Sequence, residues 1–373
     1  MDALMLPLNW QRVRLGDVGK PCMCKRVMKH QTTQYGEIPF YKIGTFGNTA
    51  DAFISKKLFL EYQTKYSFPK KGDILISASG TIGRAVIYDG KPAYFQDSNI
   101  VWIDNDETLV KNDFLFYAYS NVKWNTEHTT ILRLYNDNFR NTLIPLPPLN
   151  EQSAIANILS DLDRYLYALD SLILKKEGIK KALSFELLSQ RKRLKGFNQA
   201  WQRVRLGDIA NYLTSNLSAE QITQQGKIKV YDVNNFIGYT DTTFISDKPY
   251  ISIVKDGSVG RVRILPPKTN ILSTMGALIA NHRTTTEFLF YLLSNFDFKN
   301  FTSGSIIPHI YFKDYKEKTI FLPPLNEQSA IANILSDLDN EITSLKNKKR
   351  QFENIKKALN HDLMSAKIRV LKK

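Results

Sequence analysis

The chain has 373 residues, room for two or three domains of ordinary size, and its apolar share of 43% suits packed cores and excludes a disordered chain. Fifty-one Lys and Arg against 36 Asp and Glu leave a formal charge of +15, a field that favours nucleic acid or an anionic membrane surface as partner. No stretch approaches the ~20 apolar residues needed to span a bilayer, which sets the membrane reading aside.

From the start of the chain, residues 1–10 lack a basic region followed by an apolar run and a cleavage site, so a cytoplasmic location is expected. Cys22 and Cys24 are too close for an ordinary structural zinc pair, and no second pair completes a site; two free thiols in a reducing compartment are expected. Asp73–Ser77 and Asn99–Ile103 are predicted strands in a segment rich in aromatic and β-branched residues. Between them lies Ser79-Gly80-Thr81-Ile82-Gly83-Arg84, where two glycines three apart imply a tight turn or a close backbone approach. Pro147 and Pro148 end the segment, and Asn150 is placed to cap a helix with Glu151 in its first turn. Beyond them apolar residues step by three and four through Ile155, Leu159, Leu162, Leu166, Leu169, Ile173, Ile179, Leu183 and Leu187, interrupted at Lys176 and Gly178.

The chain then repeats itself. Leu146 to Asp163 reads LPPLNEQSAIANILSDLD, and Leu322 to Asp339 reads the same at all 18 positions, 176 residues on. The sequence WQRVRLGD occurs at Trp10 to Asp17 and again at Trp201 to Asp208, and Lys180-Lys181-Ala182-Leu183 returns as Lys356-Lys357-Ala358-Leu359. The glycine turn has a weaker counterpart, Asp256-Gly257-Ser258-Val259-Gly260-Arg261. The second stripe runs through Ile331, Leu335, Leu338, Ile342, Leu345, Phe352, Ile355, Leu359 and Leu363, interrupted at Lys349 and Asn354. About 40 residues at 1.5 Å each make a rod of about 60 Å, longer than one small domain covers. The two helices are therefore expected to pair antiparallel, with Ile155, Leu159, Leu162 and Leu166 of one and Ile331, Leu335, Leu338 and Ile342 of the other in the seam, and the globular parts at opposite ends. The alternative is that each helix folds back on its own globular part.

The doubled wording, with Ile144-Pro145-Leu146-Pro147-Pro148-Leu149-Asn150-Glu151-Gln152 opening the first helix, closely resembles the conserved regions of Type I restriction-modification specificity subunits. The resemblance covers essentially the whole chain. It implies an α+β fold in which two α/β target-recognition domains alternate with two long antiparallel coiled-coil helices as an internal pseudo-two-fold repeat. The boundaries expected are 1–148 and 196–322 for the recognition domains, with 149–195 and 323–373 for the helical regions. It further implies that each recognition domain contacts one half of a split target in double-stranded DNA. The paired helices would set the gap and dock two modification (methyltransferase) subunits. Restriction (translocase/endonuclease) subunits would complete a phage-defence assembly.

Chemistry is not expected in this chain. Its Pro-Pro pairs lack the polar and aromatic neighbours of an amino-methyltransferase motif, no phosphate loop or nucleotide fingerprint occurs, and His30, His128, His282, His309 and His361 are scattered. S-adenosylmethionine, ATP and Mg are expected in partner subunits, and no metal or cofactor on this one. An enzyme carrying its own active site and a coiled-coil protein binding nucleic acid without sequence preference are the competing readings.

Base reading needs donors and acceptors displayed toward a groove. Arg84 and Arg261 are the first candidates, with Thr81 and Ser258 inside the same turns; a solvated hairpin arginine is the alternative. Arg133 and His309 match at the 176-residue offset, within loops (Thr130 to Asn138, Ser303 to Lys313) expected to enter a short helix. Lys42, Asn234 and Asn235 are weaker candidates. Phosphate contact, which carries no sequence information, is open for each.

Overall fold

The computed structural model describes residues 7, 9–128 and 132–370. These fall into two compact units that interleave along the chain: residues 1–169 with 348–373, and residues 170–347. Each unit combines one globular part, the start of the long helix that follows it, and the end of the other long helix. Among the described residues no helix is long and apolar enough to cross a membrane.

In the first unit Gln11–Arg14 pairs antiparallel with Leu143–Leu146, which brings the start of the unit beside the Leu-Pro-Pro-Leu segment. A four-stranded antiparallel sheet runs in the order Gly19–Cys22, Ile100–Asn105, Ile74–Ser77, Ala85–Ile87. Its two central strands, Ile100–Asn105 and Ile74–Ser77, begin as unbroken apolar runs because both faces are covered. Ile74, Ile76, Val101 and Ile103 face one core, which holds the helix Asn112–Tyr119, while Leu75, Ile100 and Trp102 face a second. A three-stranded sheet (Phe53–Ile54, Ile38–Tyr41, Tyr94–Phe95) closes that second core. Cys22 and Cys24 are free; burial raises the Cys22 thiol and pushes Cys24 up to about 12.

The second unit repeats the plan. Gln202–Arg205 pairs with Thr319–Leu322, and the four-stranded order is Ala210–Thr214, Met275–Ala280, Tyr250–Val254, Val262–Leu265. Its three-stranded sheet differs, with the antiparallel pair Ile228–Tyr231 and Phe236–Thr240 beside Thr269–Ile271. The first unit has a helix, Lys56–Lys65, with no helical counterpart in the second.

The long helices span Leu149–Leu188 and Leu325–Met364 and run unbroken through Lys176, Gly178, Lys349 and Asn354, where the apolar stripe is interrupted. They start one residue before the expected Asn caps. The carbonyl of Pro148 accepts from the amides of Glu151 and Gln152, and Asn150 Oδ1 turns to the Glu151 amide at 2.9 Å. The pairing is antiparallel within each unit. In the first, Tyr165 packs on Phe352 with ring centroids 4.7 Å apart, and Asp163 binds Lys356. In the second, Lys180 meets Asp339 at 2.5 Å and Lys176 meets Glu341 at 2.8 Å.

The stripe serves two surfaces rather than one. Ile155 and Leu159 enter the core of the first globular part together with Leu363 and Met364 from the other helix. Ile331 and Leu335 do the same in the second unit, joined by Leu187. Leu162, Leu166 and Leu338 are half-buried and Ile342 is buried. Ile179 and Ile355, 176 residues apart, were expected in the stripe but lie on the exposed side.

Two buried polar clasps fix the helix starts. Glu151, 2% exposed, accepts from the Trp10 indole at 3.1 Å and from the Arg369 guanidinium at 2.7 and 2.9 Å. Glu327, fully buried, accepts from Trp201 at 2.9 Å and from Arg193 at 3.2 and 2.6 Å. Beside them Gln152 and Gln328 have no solvent exposure and satisfy both ends of their amides. Gln152 accepts from the Lys111 amide and donates to the Leu109 and Pro147 carbonyls; Gln328 accepts from Thr284 and Thr285 and donates to Arg283 and Pro323.

The glycine turn joins Ile74–Ser77 to Ala85–Ile87 as a hairpin. Gly80 and Gly83 both adopt positive φ, +66° and +83°, but only Gly83 is crowded: an added Cβ would sit 2.1 Å from the Trp124 indole nitrogen. The close approach inferred from sequence is therefore to a side chain. In the second unit Phe298 plays that part for Gly260, at 2.6 Å.

Two stability outcomes follow. Glu327→Ala strands a buried indole N–H and a mostly buried guanidinium, and is expected to cost about 2–3 kcal/mol in urea unfolding; a loss under about 0.5 kcal/mol would show that the clasp is not structural. Gly80→Ala is expected to cost about 1 kcal/mol for its backbone alone. Gly83→Ala, which must also displace Trp124, is expected to cost several-fold more and to change the near-ultraviolet circular dichroism; equal losses would remove the close-approach argument.

Candidate nucleic-acid interface

In each unit the glycine turn, the segment before Leu-Pro-Pro-Leu and a third loop meet along one edge. In the first unit Ser77 staples the turn: its hydroxyl donates to the Thr81 carbonyl and accepts from the Arg84 amide at 2.9 Å. Ser79 bridges to Arg133, and the Leu134 amide donates to the Ala78 carbonyl at 2.9 Å. Arg84 reaches the other way, donating to the Phe46 carbonyl at 3.0 Å within the loop that begins at Lys42. Lys42 pairs with Asp51 at 2.9 Å. Thr81, Arg84 and Arg133 are exposed and Lys42 is half-buried. Four sequence candidates are thus brought to one edge. Thr130, at the start of the expected reading loop, lies outside the described residues; Leu132–Arg133 is a short strand leading to the helix Asn136–Asn141.

In the second unit the Gly257 amide donates to the Pro308 carbonyl at 2.8 Å, and the Ile310 amide to the Lys255 carbonyl at 2.9 Å. His309 Nδ1 lies 2.7 Å from Asp256 Oδ1, so its ring is held by the residue that opens the turn. Ser258 and Arg261 are exposed at the turn. Thr302–Ser303 and His309–Ile310 form a small hairpin whose tip carries Ile306, 92% exposed. The expected entry into a short helix is present at Phe312–Tyr315. Asn234 and Asn235 are exposed in a turn whose amides both donate to Asp232 Oδ1 at 2.7 Å.

That turn is tied down by a residue the sequence did not single out. Arg263 donates to the Asn234 carbonyl at 2.9 Å and stacks over Tyr231 with its guanidinium 5.2 Å from the ring centroid. It does for the second unit what Arg84 does for the first. The register set by the glycine turn puts Arg263 opposite Val86 rather than Arg84, so the repeat did not point to it. Asp256 was also passed over, although it stands where the first copy has Ser79.

The edges present exposed Arg, Thr, Ser, Asn and part-exposed His and Lys from rigid hairpins, a set of donors and acceptors suited to groove contacts. Among the described residues no three or more His, Cys, Asp and Glu side chains are grouped to hold a metal ion.

Comparison with known proteins matches this geometry to a family. The model of the Type I restriction modification DNA specificity domain fits twice, over residues 7–177 and 198–354. A putative type I restriction enzyme specificity subunit of Haemophilus influenzae is 62% identical over 152 residues, a stretch spanning 40% of each chain. The type I restriction enzyme MjaVIII specificity subunit of Methanocaldococcus jannaschii is 26% identical over 99% of this chain and 95% of its own. The crystal structure of the S subunit from M. genitalium shares the fold with a TM-score of 0.64 at 20% identity, covering 96% of this chain and 98% of that one. A structure from work on type I complex assembly aligns at TM-score 0.57 and 16% identity, over 96% of this chain and 98% of that one. Matched twice over, once in each copy of the repeat, this chain belongs to the Type I restriction-modification DNA specificity family.

Proposed function

We propose that this chain is the non-catalytic reader of a two-part DNA target within a Type I complex. Each unit contributes one reading edge, and the paired helices fix the number of unread base pairs between the half-sites. The observation that carries the reading is a contrast inside the repeat. The helix starts are identical, while the equivalent edges differ: Arg133 against His309, Thr81 against Ser258, and the Lys42 loop against the Asn234–Asn235 turn. Different heads on a common frame suit an asymmetric bipartite sequence. Methyl transfer and cleavage are assigned to partner subunits that bind S-adenosylmethionine, ATP and Mg.

Partner docking has its own support. Glu151, Gln152, Ile155 and Leu159 have packing reasons to recur, but the exposed row Ser153, Asn157, Asp161 also recurs, as Ser329, Asn333, Asp337. Exposed side chains identical in both copies fit a modification subunit that docks twice in the same way.

A methylation map of the source genome, with the gene intact and then deleted, tests the reading. One split motif with an unread gap is expected to lose methylation on deletion; an unchanged map in a strain whose partner genes are expressed would overturn it. Restoring the gene as Arg84→Ala is expected to relax one position of one half-site, a discrimination of about 1–3 kcal/mol. A uniform fall across all sites would place Arg84 on the backbone instead.

A further inference from the structure

Each unit carries a groove where a short helix of its globular part, Asn112–Tyr119 in the first and Thr286–Ser294 in the second, meets the long helices, and the two grooves have matching walls. In the first unit a cavity of about 880 Å³ lies between Tyr117, Ser120 and Asn121 on one side and Lys356, Lys357 and Asn360 on the other. In the second, a cavity of about 360 Å³ lies between Tyr291, Ser294 and Asn295 and Lys180, Lys181 and Ser184. The long-helix residues of one groove stand 176 positions from those of the other.

Most charges in the grooves are already matched. Lys356 binds Asp163, which also accepts from the Tyr117 hydroxyl at 2.7 Å. Lys180 binds Asp339 at 2.5 Å, and Tyr291 donates to that carboxylate at 2.9 Å. The acids on the walls, Glu177 and Glu353, are met by Lys346 at 2.6 Å and Lys349 at 3.5 Å. Lys181 and Lys357 are exposed and have no ion-pair partner among the described residues; His361 adds a further ionisable group in the first groove. Next to these lysines are two unsatisfied buried atoms at equivalent positions, Ser184 Oγ in a residue only 1% exposed, and Asn360 Oδ1.

An exposed ammonium without an ion-pair partner, set in the equivalent groove of both copies, calls for an anion of the same form in both places. The phosphate backbone of DNA has that uniformity, whereas base edges do not. In the first unit Gly83 and Ala85 also line the groove, so the reading turn forms part of its wall. We infer that each groove seats a DNA backbone phosphate, neutralised by Lys357 in one unit and Lys181 in the other. These contacts hold each unit in register on the duplex and add nothing to base choice. The inference rests on the DNA-reading function proposed above.

The test is a salt titration of binding by the full chain to a random-sequence duplex, followed by fluorescence anisotropy. Lys181→Gln and Lys357→Gln are each expected to make the slope of log K against log salt shallower by about 0.9, a loss of roughly eightfold per lysine near 0.1 M salt. The Arg variants are expected to keep the wild-type slope, and relative affinities among competing sequences should not change. Glutamine variants that melt like the wild type yet keep its slope would overturn the phosphate assignment, and loss of a co-purifying partner protein with that slope intact would reassign the grooves to protein contact. If the wild-type chain shows no salt-dependent binding, the DNA-reading function itself fails, which is a separate outcome.

Discussion

An amphipathic helix of forty residues has an apolar stripe that water will not tolerate and that one small globular part cannot cover. Burying a Leu or Ile is worth about 1.5–3 kcal/mol, so leaving half the stripe wet would exceed the net stability of many domains. Here each helix spends its first turns against its own globular core and its later turns serving the other unit. That single constraint explains why the units interleave along the chain, why Leu363 and Met364 sit in the first core, and why Leu187 sits in the second.

Apolar contact alone tolerates sliding, and the buried polar groups remove that freedom. A carboxylate as deeply placed as Glu327 is costly unless its acceptor sites are filled, and here an indole and a guanidinium fill them in one relative placement. The fully buried glutamines act similarly on a short helix of each globular part. Gln152 holds the amide that begins Asn112–Tyr119, and Gln328 holds the start of Thr286–Ser294. Much of the identical 18-residue wording is thus explained by internal packing. The exposed row of Ser, Asn and Asp is the part that packing leaves over.

The repeat made the architecture legible, because exact duplication set the register of every conserved element without any knowledge of contacts. The sheets were legible where runs such as Ile74–Ser77 are apolar on both faces. The clasps were not, although Arg193 and Arg369 also stand 176 apart: a lone arginine in a basic, weakly matching stretch carries no local sign that it will meet a buried Glu. The candidate edges were half legible. Paired glycines announced the hairpins and placed Arg84 and Arg261, but the third loop differs in conformation between units, and Arg263 emerges only from the geometry. Side-chain partnership across long sequence separations is set by the fold, so spacing could not disclose it.

The Arg369 clasp joins residues 218 apart in sequence, while its counterpart at Arg193 spans 134. On a ribosome, where the amino-terminal part emerges first, the first globular part would wait with Glu151 lacking its Arg369 guanidinium until all of the second unit had been made. The second unit, by contrast, needs nothing beyond residue 347. The order of completion is therefore the reverse of the order of synthesis, and the first half is the part that needs shelter from aggregation in the interval.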